Sequence, residues 1–328
     1  MKEGRTFATG GQPAPVLSVR QLGVRYSLDD GVIHAVNGVS FELMPGETYA
    51  IVGESGSGKS TLALSLLGLA PVTDGEVRLD SMSITGLDRA ALARVRGHRI
   101  AMIFQEPMTS LNPVLTVGYQ LTEAIRLHRN IGRREARDHA GDMLTKVGIS
   151  DARRRLGQYP HELSGGMRQR VMIAMALSCN PAVLVADEPT TALDVTVQAQ
   201  ILDLIADLQH EMGTAVVLIT HDIGVVAEVA DRIAVMYAGR IVEEAPTATL
   251  FSNPRHPYTK GLLRSVPRVD VNPTGKPLPA MAGGAPSMRV MPQGCAFKER
   301  CEHAHVRCGE LPPVTAEGVH SVRCWLYV

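Results

Sequence analysis

The glycine-rich segment Gly53–Ser60 has the residue types and spacing that bind phosphate groups. Its sequence, GESGSGKS, matches the pattern G-x-x-x-x-G-K-[ST]. Glycines let consecutive backbone N–H groups curl around an anion, while Lys59 can reach phosphate oxygens and Ser60 can ligate Mg²⁺. The apolar run Thr48–Val52 precedes the segment and a helical pattern follows it, which is the context a phosphate loop requires. The segment therefore predicts a nucleotide-phosphate site.

Two adjacent carboxylates, Asp187 and Glu188, follow the apolar run Ala182–Ala186. Open α/β sheets bind their ligands at the carboxyl ends of strands, so this pair is expected beside the phosphate loop. Asp187 is expected to hold Mg²⁺ through its water shell. Glu188 is expected to orient and deprotonate the water that attacks the phosphate.

The segment Leu163–Arg170, with the sequence LSGGMRQR, begins a helical pattern with a serine and two glycines. Such a helix start offers a hydroxyl and unpaired N–H groups to an anion. Together with the phosphate loop and Val185–Pro189, the segment resembles the signature of ABC-type ATPases. The resemblance implies that the signature contacts the ATP held by a partner chain in a head-to-tail dimer. The implied signature residues are Leu163, Ser164, Gly165, Gly166, Met167, Arg168 and Gln169.

The same resemblance assigns roles to single residues. Gln105 resembles the Q-loop glutamine, His221 resembles the switch histidine that contacts the γ-phosphate, and Asp194 resembles the D-loop aspartate at the dimer seam. The implied catalytic residues are Glu188, His221 and Gln105, and the implied Mg²⁺ ligands are Ser60, Gln105 and Asp187. The implied ATP-binding residues are Tyr26, which would stack on the adenine ring, Gly53, Glu54, Ser55, Gly56, Ser57, Gly58, Lys59, Ser60 and Thr61.

Three further segments, Phe104–Pro113, Thr116–Gln120 and Phe251–Thr259, resemble ATPases of importers for oligopeptides, dipeptides and, in some relatives, nickel. This resemblance implies a second, non-identical ATPase, two membrane permeases and an extracellular solute-binding protein as partners. The permeases are expected to contact the chain near Gln105–Pro113. It also implies a peripheral position at the cytoplasmic face of the membrane.

The cysteines are concentrated in one place. Cys179 stands alone and is expected to be a packed core thiol, while four others follow within residues 295–328: Cys295, Cys301, Cys308 and Cys324. In a reducing compartment such a cluster indicates a metal site before disulfides, although buried or reversibly oxidised thiols remain an alternative. The spacing lacks the C-x₂-C unit of zinc ribbons, and four thiolates can bind either Zn²⁺ or a 4Fe–4S cluster. A resemblance to dipeptide-importer tails favours 4Fe–4S. The histidines of this region, His303, His305 and His320, are expected to be solvated.

Charge and composition restrict the alternatives. The chain has 33 Lys and Arg against 33 Asp and Glu, and this balance disfavours a nucleic-acid binder. A soluble ABC ATPase of DNA repair or chromosome maintenance would carry a long coiled-coil or zinc-module insertion between the phosphate loop and the signature. Only 104 residues separate Lys59 from Leu163 and no heptad run is present, so this alternative is disfavoured, and the neutral charge disfavours it as well. A redox-sensing iron–sulfur regulator is a third hypothesis. No apolar stretch approaches the ~20 residues of a membrane span, and no signal peptide is recognisable.

Alternating strands and helices predict an α/β fold, and the resemblance specifies a P-loop ABC ATPase: a mixed, mainly parallel sheet, N-terminal antiparallel strands and an inserted helical subdomain. The expected divisions are a disordered tail (1–15), a nucleotide-binding domain (16–264) with the helical subdomain at 106–181, a Pro-rich linker (265–293) and a cysteine module (294–328). Predicted strands are Leu17–Arg25, Val39–Leu43, Thr48–Val52, Glu76–Leu79, Ile100–Phe104, Ala182–Ala186, Ala215–Ile219 and Ile233–Tyr237. Predicted helices are Lys59–Leu67, Val117–His128, Arg134–Val147, Gly166–Ser178, Val195–Glu211 and Ile223–Val229.

Overall fold

The computed structural model describes residues 14–105, 110–191, 193–265, 281 and 283–328. The strands are β1 Leu17–Leu28, β2 Gly31–Leu43, β3 Thr48–Val52, β4 Asp74–Leu79, β5 Met82–Ser83, β6 Ile100–Ile103, β7 Val183–Asp187, β8 Ala215–Thr220, β9 Arg232–Tyr237, β10 Arg240–Pro246, β11 Thr315–Glu317 and β12 His320–Val322. The helices are α1 Lys59–Leu66, α2 Arg89–Val95, α3 Val117–His128, α4 Arg133–Lys146, α5 Ala152–Arg155, α6 Gly165–Leu177, α7 Val195–Met212, α8 Ile223–Val229, α9 Thr247–Ser252 and α10 Pro257–Arg264. Among these described residues, no helix is long and apolar enough to cross a membrane.

The central sheet positions the candidate site. In the described part of the chain it has eight strands in the order β11-β12-β10-β9-β3-β8-β7-β6, and the five strands from β9 to β6 run parallel. Every residue of β3, β7 and β8 is buried. Strands that are covered on both faces need apolar side chains throughout, which explains their continuous apolar runs.

An antiparallel sheet of four described strands, in the order β2-β1-β4-β5, lies at the N-terminal end of the chain. Register shifts interrupt the pairing of β1 with β2 between Val19 and Leu22 and again between Val24 and Arg25. The buried residues of β1, β2 and β4 share one apolar core with Tyr49 and Ile51 of β3 and with Leu62 and Leu66 of α1. The sheet therefore braces the segment that carries the phosphate loop.

The helices α3 to α6 follow β6 and precede β7, as the predicted helical subdomain requires. Thr116 begins α3 as its N-cap, where its side chain accepts the N–H of Tyr119, and Ser164 does the same for α6 with Met167. Apolar residues of these helices share a second core with β3, β6, β7 and β8. The subdomain is therefore packed directly against the sheet.

The C-terminal part of the chain contains elements that sequence patterns did not predict, namely β10, β11, β12, α9 and α10, in addition to α2, α5 and β5 earlier on. Strand β12 pairs with β10 through Glu243 and Val322, so residues 294–328, called here the cysteine segment, extend the central sheet. The pattern of β10 was missed because two glutamates and a proline interrupt its apolar residues. The predicted tail at 1–15 falls largely outside the described residues, as do positions 266–280 and 282 of the predicted linker.

Candidate active site

The phosphate loop connects the end of β3 to the start of α1, as predicted. Its backbone passes so close to neighbouring strands that two positions require glycine. A Cβ on Gly53 would lie 2.2 Å from the carbonyl oxygen of Met236, and a Cβ on Gly58 would lie 2.1 Å from that of Ala35. Gly58 also has a φ of 102°, a conformation that other residues rarely adopt. The loop is therefore a rigid turn held by β2 and β9.

Lys59 lies within this loop with only 4% of its surface exposed. Its Nζ donates to the carbonyl oxygens of Gly53, at 2.8 Å, and Glu54, at 3.0 Å. Burial lowers the pKa of Lys59, although nearby carboxylates, Glu188 foremost, oppose that shift. An ammonium group has three donors, so one N–H remains for a phosphate oxygen. Bound phosphate would also offset the cost of burying this charge.

Two oxygen ligands suitable for Mg²⁺ meet beside the loop. The Ser60 hydroxyl donates to Asp187 Oδ1 at 3.2 Å. Asp187 is 4% exposed, and burial raises the pKa of its carboxyl group. A bound cation would relieve this desolvation, and a hydroxyl with a carboxylate is a donor set that Mg²⁺ accepts. The residues present therefore fit a magnesium ion. In the same loop, the buried Ser57 Oγ has no hydrogen-bond partner among the described residues.

Glu188 lies at the point where three strand ends converge. Its Oε2 accepts from Gln105 Nε2, after β6, at 2.9 Å and from Thr191 Oγ1 at 3.0 Å. Its Oε1 lies 3.1 Å from Nδ1 of His221, which follows β8. The Glu188 side chain is 13% exposed, whereas that of His221 is 62% exposed. The structure thus brings together the three residues expected to be catalytic and adds Thr191, which no sequence signal connected to Glu188.

The signature segment lies at the start of α6. Ser164 is exposed at the N-cap, and its hydroxyl accepts the N–H of Met167 at 3.3 Å. Gln169 is buried and donates to the carbonyl oxygen of Pro189, at 2.5 Å. The helix is thereby tied to the loop that follows Glu188, while its first turn remains open to a ligand from outside the chain.

Residues 36–191 match the family described as ABC transporter, and residues 242–308 match the region described as oligopeptide/dipeptide transporter, C-terminal region. The dipeptide transport ATP-binding protein DppD of Bacillus subtilis is 50% identical to this chain over 318 residues, which cover 95% of the chain and 94% of that protein. The chain belongs to the ATP-binding proteins of ABC transporters.

Further similarities agree with this assignment. The oligopeptide transport ATP-binding protein OppD of Haemophilus influenzae is 46% identical over 316 residues, covering 95% of this chain and 97% of that protein. A dimeric post-hydrolysis structure of the ATP-binding cassette MJ0796, bound to ADP and Pi, has a TM-score of 0.65 and 32% identity, and covers 70% of this chain and 98% of that one. The predicted cassette fold is confirmed, and this ABC transporter protein is an ATPase.

Two sequence-predicted residues of this ABC ATPase, Asp194 and Tyr26, lie on other elements than Glu188, Gln105 and His221. Asp194 is the N-cap of α7, and its Oδ1 accepts the N–H of Val197 at 2.9 Å. Tyr26 lies on β1 opposite Ile33 and packs partly buried against the core that contains Phe41 and Tyr49. Neither position contradicts the role that sequence assigned to it.

The four C-terminal cysteines of this ABC ATPase are free thiols that line one small recess, together with Phe297, Trp325 and His303. Burial raises the pKa of Cys295 to about 11 and also raises the pKa values of Cys301 and Cys324. Among the described residues, however, no group of three or more His, Cys, Asp or Glu side chains is arranged to hold a metal ion. The cysteines therefore share a recess without being arranged as a metal site, and the predicted metal cluster stays a prediction.

The prediction for His320 is wrong, whereas that for Cys179 is correct. His320 is 3% exposed, and its Nε2 lies 2.8 Å from Oε1 of the fully buried Glu243. The sequence could not indicate this contact because 77 residues separate the two side chains. Cys179 is buried at the end of α6, where burial raises the pKa of its thiol.

Proposed function

We propose that this ABC ATPase energises the import of peptides through partner membrane subunits. The observation that carries the proposal is the match of residues 242–308 to the C-terminal region of oligopeptide/dipeptide transporters. That region contains most of β10, α9, α10 and the first three cysteines of the cysteine segment, which lie outside the 36–191 match to ABC transporters in general. The relatives named for dipeptide and oligopeptide transport support the same substrate class.

The phosphate loop would hold the ATP phosphates by backbone N–H groups and by Lys59 Nζ. Tyr26 would stack on the adenine ring. Ser60, Asp187 and Gln105 would hold Mg²⁺, which neutralises phosphate charge when it is bound. The residues assigned to ATP are Tyr26, Gly53, Glu54, Ser55, Gly56, Ser57, Gly58, Lys59, Ser60 and Thr61.

Glu188 would act as the general base. A water molecule attacks the γ-phosphorus, the bond to the β-phosphate oxygen breaks, ADP leaves, and the proton of the water passes to the Glu188 carboxylate. The hydrogen bonds from Gln105 and Thr191 to Oε2 fix the orientation of this carboxylate. His221 faces Oε1 and is sufficiently exposed to meet the γ-phosphate.

The signature residues Leu163–Gln169 would contact the ATP of a second ABC ATPase in a head-to-tail dimer, with Asp194 at the seam. The exposure of Ser164 and Gly165 supports this role, because the N-terminus of a helix favours an anion. We expect the second ATPase to be a non-identical chain. No role for nucleic acid is proposed.

Two permeases would bind near Gln105–Pro113, at the cytoplasmic face of the membrane, with an extracellular solute-binding protein completing the importer. Positions 106–109 lie outside the described residues. Beside them, Phe104, Val114 and Tyr119 are exposed apolar side chains, at 40%, 75% and 46%. Large exposed apolar patches mark protein interaction sites, and these three side chains would contribute apolar surface to such a site.

Affinity purification of the tagged chain from detergent-solubilised membranes tests the proposal. We expect a second ABC ATPase and two permeases to co-purify. Val114→Asp should reduce the recovery of permeases, while Val319→Asp, at a similarly exposed position (74%) in the cysteine segment, should not. Recovery of the chain without any membrane subunit would overturn the importer assignment.

We further propose that Cys295, Cys301, Cys308 and Cys324 bind a 4Fe–4S cluster. The support is chemical: four thiols of one segment line one recess, and four thiolates are the usual ligand set of such a cluster. When bound, the cluster would cross-link the segment. Anaerobic purification followed by metal analysis should give about four iron atoms per chain, whereas stoichiometric zinc or no metal would refute the proposal. The divisions 16–264, 265–293 and 294–328 also remain proposals.

A further inference from the structure

Arg300 of the cysteine segment binds the second residue of the phosphate loop, Glu54. Its Nη1 and Nη2 each donate to one carboxylate oxygen of Glu54, both at 2.9 Å. The Arg300 side chain is 7% exposed and that of Glu54 is 27% exposed, so water screens this pair only partly. Bidentate pairs fix orientation as well as adding energy. The contact therefore attaches the phosphate loop to a segment 246 residues further along the chain.

An aromatic cluster holds Arg300 in this position. Its guanidinium lies 5.8 Å from the ring centre of Tyr237 on β9 and 5.7 Å from that of Phe297. Its Nη1 also donates to the Tyr237 hydroxyl at 3.2 Å. Tyr258 of α10 packs on the same rings, and its hydroxyl accepts the backbone N–H of Glu54 at 2.9 Å. Both the side chain and the backbone of Glu54 are thus bound by C-terminal elements.

The position of Glu54 matters for the lysine that would contact ATP. The Glu54 carbonyl oxygen accepts from Lys59 Nζ at 3.0 Å and from the Ser57 N–H at 3.2 Å. A rotation of the Glu54 peptide would therefore move an acceptor of the Lys59 ammonium and disturb the N–H groups that follow it. The other acceptor, the Gly53 carbonyl, belongs to a residue already confined by Met236. Glu54 is thus a part of this turn that is also held by a residue outside the expected nucleotide-binding domain (16–264), namely Arg300.

We propose that Arg300 is a positioning residue for ATP binding. Arg300 holds Glu54 in place, so that the phosphate loop keeps the geometry in which it binds ATP. The same contact couples the phosphate loop to the folded cysteine segment. The inference rests on the proposed assignment of Gly53–Ser60 as the ATP-phosphate site. Loss of ATP binding in Lys59→Ala tests that assignment separately. If Lys59→Ala bound ATP normally, the site assignment would fail whatever Arg300 does.

The test compares Arg300→Gln, Glu54→Gln, their double variant and Arg300→Lys in the full chain. Arg300→Gln and Glu54→Gln should each raise the Kd for ATP and the KM of hydrolysis about tenfold, with kcat changed by less than about twofold. The double variant should bind ATP no more weakly than either single variant, because both remove one interaction. Arg300→Lys, which keeps the charge, should recover part of the affinity. Arg307→Gln is the matched control, since that arginine lies over Trp325 in the same segment.

Glu54→Gln leaves the cysteine segment unaltered, so it tests the proposal even if Arg300→Gln fails to fold. Coupling between sites is reciprocal, so ATP should slow amide hydrogen exchange of residues 295–301 in the wild type and not in Glu54→Gln. Two results would overturn the proposal. One is an unchanged Kd for ATP in Glu54→Gln; the other is a double variant whose defect is the sum of the two single defects.

Discussion

The candidate active site and the cysteine segment are held in place by different kinds of contact. The active-site side chains follow neighbouring parallel strands, so the backbone pairing of β3, β6, β7 and β8 brings them together. The cysteine segment contains only the short strands β11 and β12 and single helical turns. It is attached through the pairing of β12 with β10 and the packing of Phe297 in the core, and charged side chains add the contacts of His320 with Glu243 and of Arg300 with Glu54.

This difference has a physical consequence. A side chain on a strand end is positioned by many shared backbone hydrogen bonds, so its replacement should change chemistry more than stability. When one partner of a buried ion pair is removed, the other charge stays buried without a partner, and the folded protein is destabilised. We therefore expect substitutions in the first region to change catalytic rates, and substitutions in the second to change the free energy of unfolding.

Glu188→Gln should have the largest effect, and this effect should be limited to the rate of ATP hydrolysis. Removal of the general base should lower ATP hydrolysis by about 10²- to 10⁴-fold, while ATP binding and the free energy of unfolding change little. Phosphate release, nucleotide binding and urea denaturation measure the three quantities. Glu228→Gln, on the exposed face of α8, is the control. Hydrolysis above a third of the wild-type rate would remove Glu188 from the mechanism.

Glu243→Gln should show the opposite behaviour. The Glu243 carboxylate is fully buried and accepts the backbone N–H groups of Arg255, at 2.6 Å, and His256, at 2.8 Å, in addition to its contact with His320. The side-chain amide of the variant carries an NH₂ group in place of one carboxylate oxygen, and an NH₂ group cannot accept the backbone N–H that this oxygen accepts. We therefore expect a loss of about 3 kcal/mol from the free energy of unfolding.

Glu317→Gln is the matched control for Glu243→Gln. It removes an ion pair with Arg255 whose acidic side chain is 79% exposed, and such pairs contribute less than about 1 kcal/mol. If urea denaturation gave the same loss of stability for Glu243→Gln and Glu317→Gln, the burial of the Glu243 carboxylate would not explain its contribution to stability.

Protonation of His256 at acidic pH should lower the stability of the folded chain. Burial lowers the pKa of His256 to about 3, from 6.5 in an unfolded chain, and its Nδ1 accepts the Tyr258 N–H at 3.0 Å. The folded protein therefore favours the neutral ring. The stability that His256 contributes is present above about pH 6.5 and is lost as the pH falls below that value. Between about pH 7.5 and pH 5 the loss should be about 2 kcal/mol.

His256→Asn should reduce this dependence on pH. Urea denaturation of the wild type and the variant at both pH values isolates the contribution of the one histidine, because all other titrating groups are shared. An identical loss of stability in the two proteins would contradict the neutral, buried state of His256.

Substitutions of Asp194 should have the smallest effect. They distinguish a role as a helix cap from a role at the dimer seam. Asp194→Ala should cost about 1 kcal/mol of stability, because the N–H of Val197 loses its acceptor, and Asp194→Asn should retain most of the cap. If Asp194 also acts at the dimer seam, Asp194→Asn should lower ATP hydrolysis while stability is kept. Wild-type hydrolysis in Asp194→Asn would leave only the capping role.

The two regions also differ in what sequence alone can predict. Strand ends are visible as apolar runs followed by polar residues, so the sequence predicted that Gly53–Ser60 follow β3 and that Asp187 and Glu188 lie at the end of β7, as the structure has them. The contact of Thr191 with Glu188 spans only three residues, but it depends on the fold of the turn after β7, which no pattern indicates. The contacts of Arg300 and Tyr258 with Glu54 could not be predicted because they join segments that lie far apart in the chain. His320 was assigned to solvent for the same reason, since its partner Glu243 lies in a strand whose charged residues conceal its burial.

The central claim is that ATP hydrolysis at Glu188 energises peptide import. Uptake of a labelled dipeptide into proteoliposomes that contain the co-purified complex, with ATP available to this chain, tests it most directly. We expect ATP-dependent uptake with the wild-type chain and almost none with Glu188→Gln, although the complex still assembles and binds ATP. Equal uptake by the two complexes, or no peptide uptake by the wild-type complex, would contradict the account.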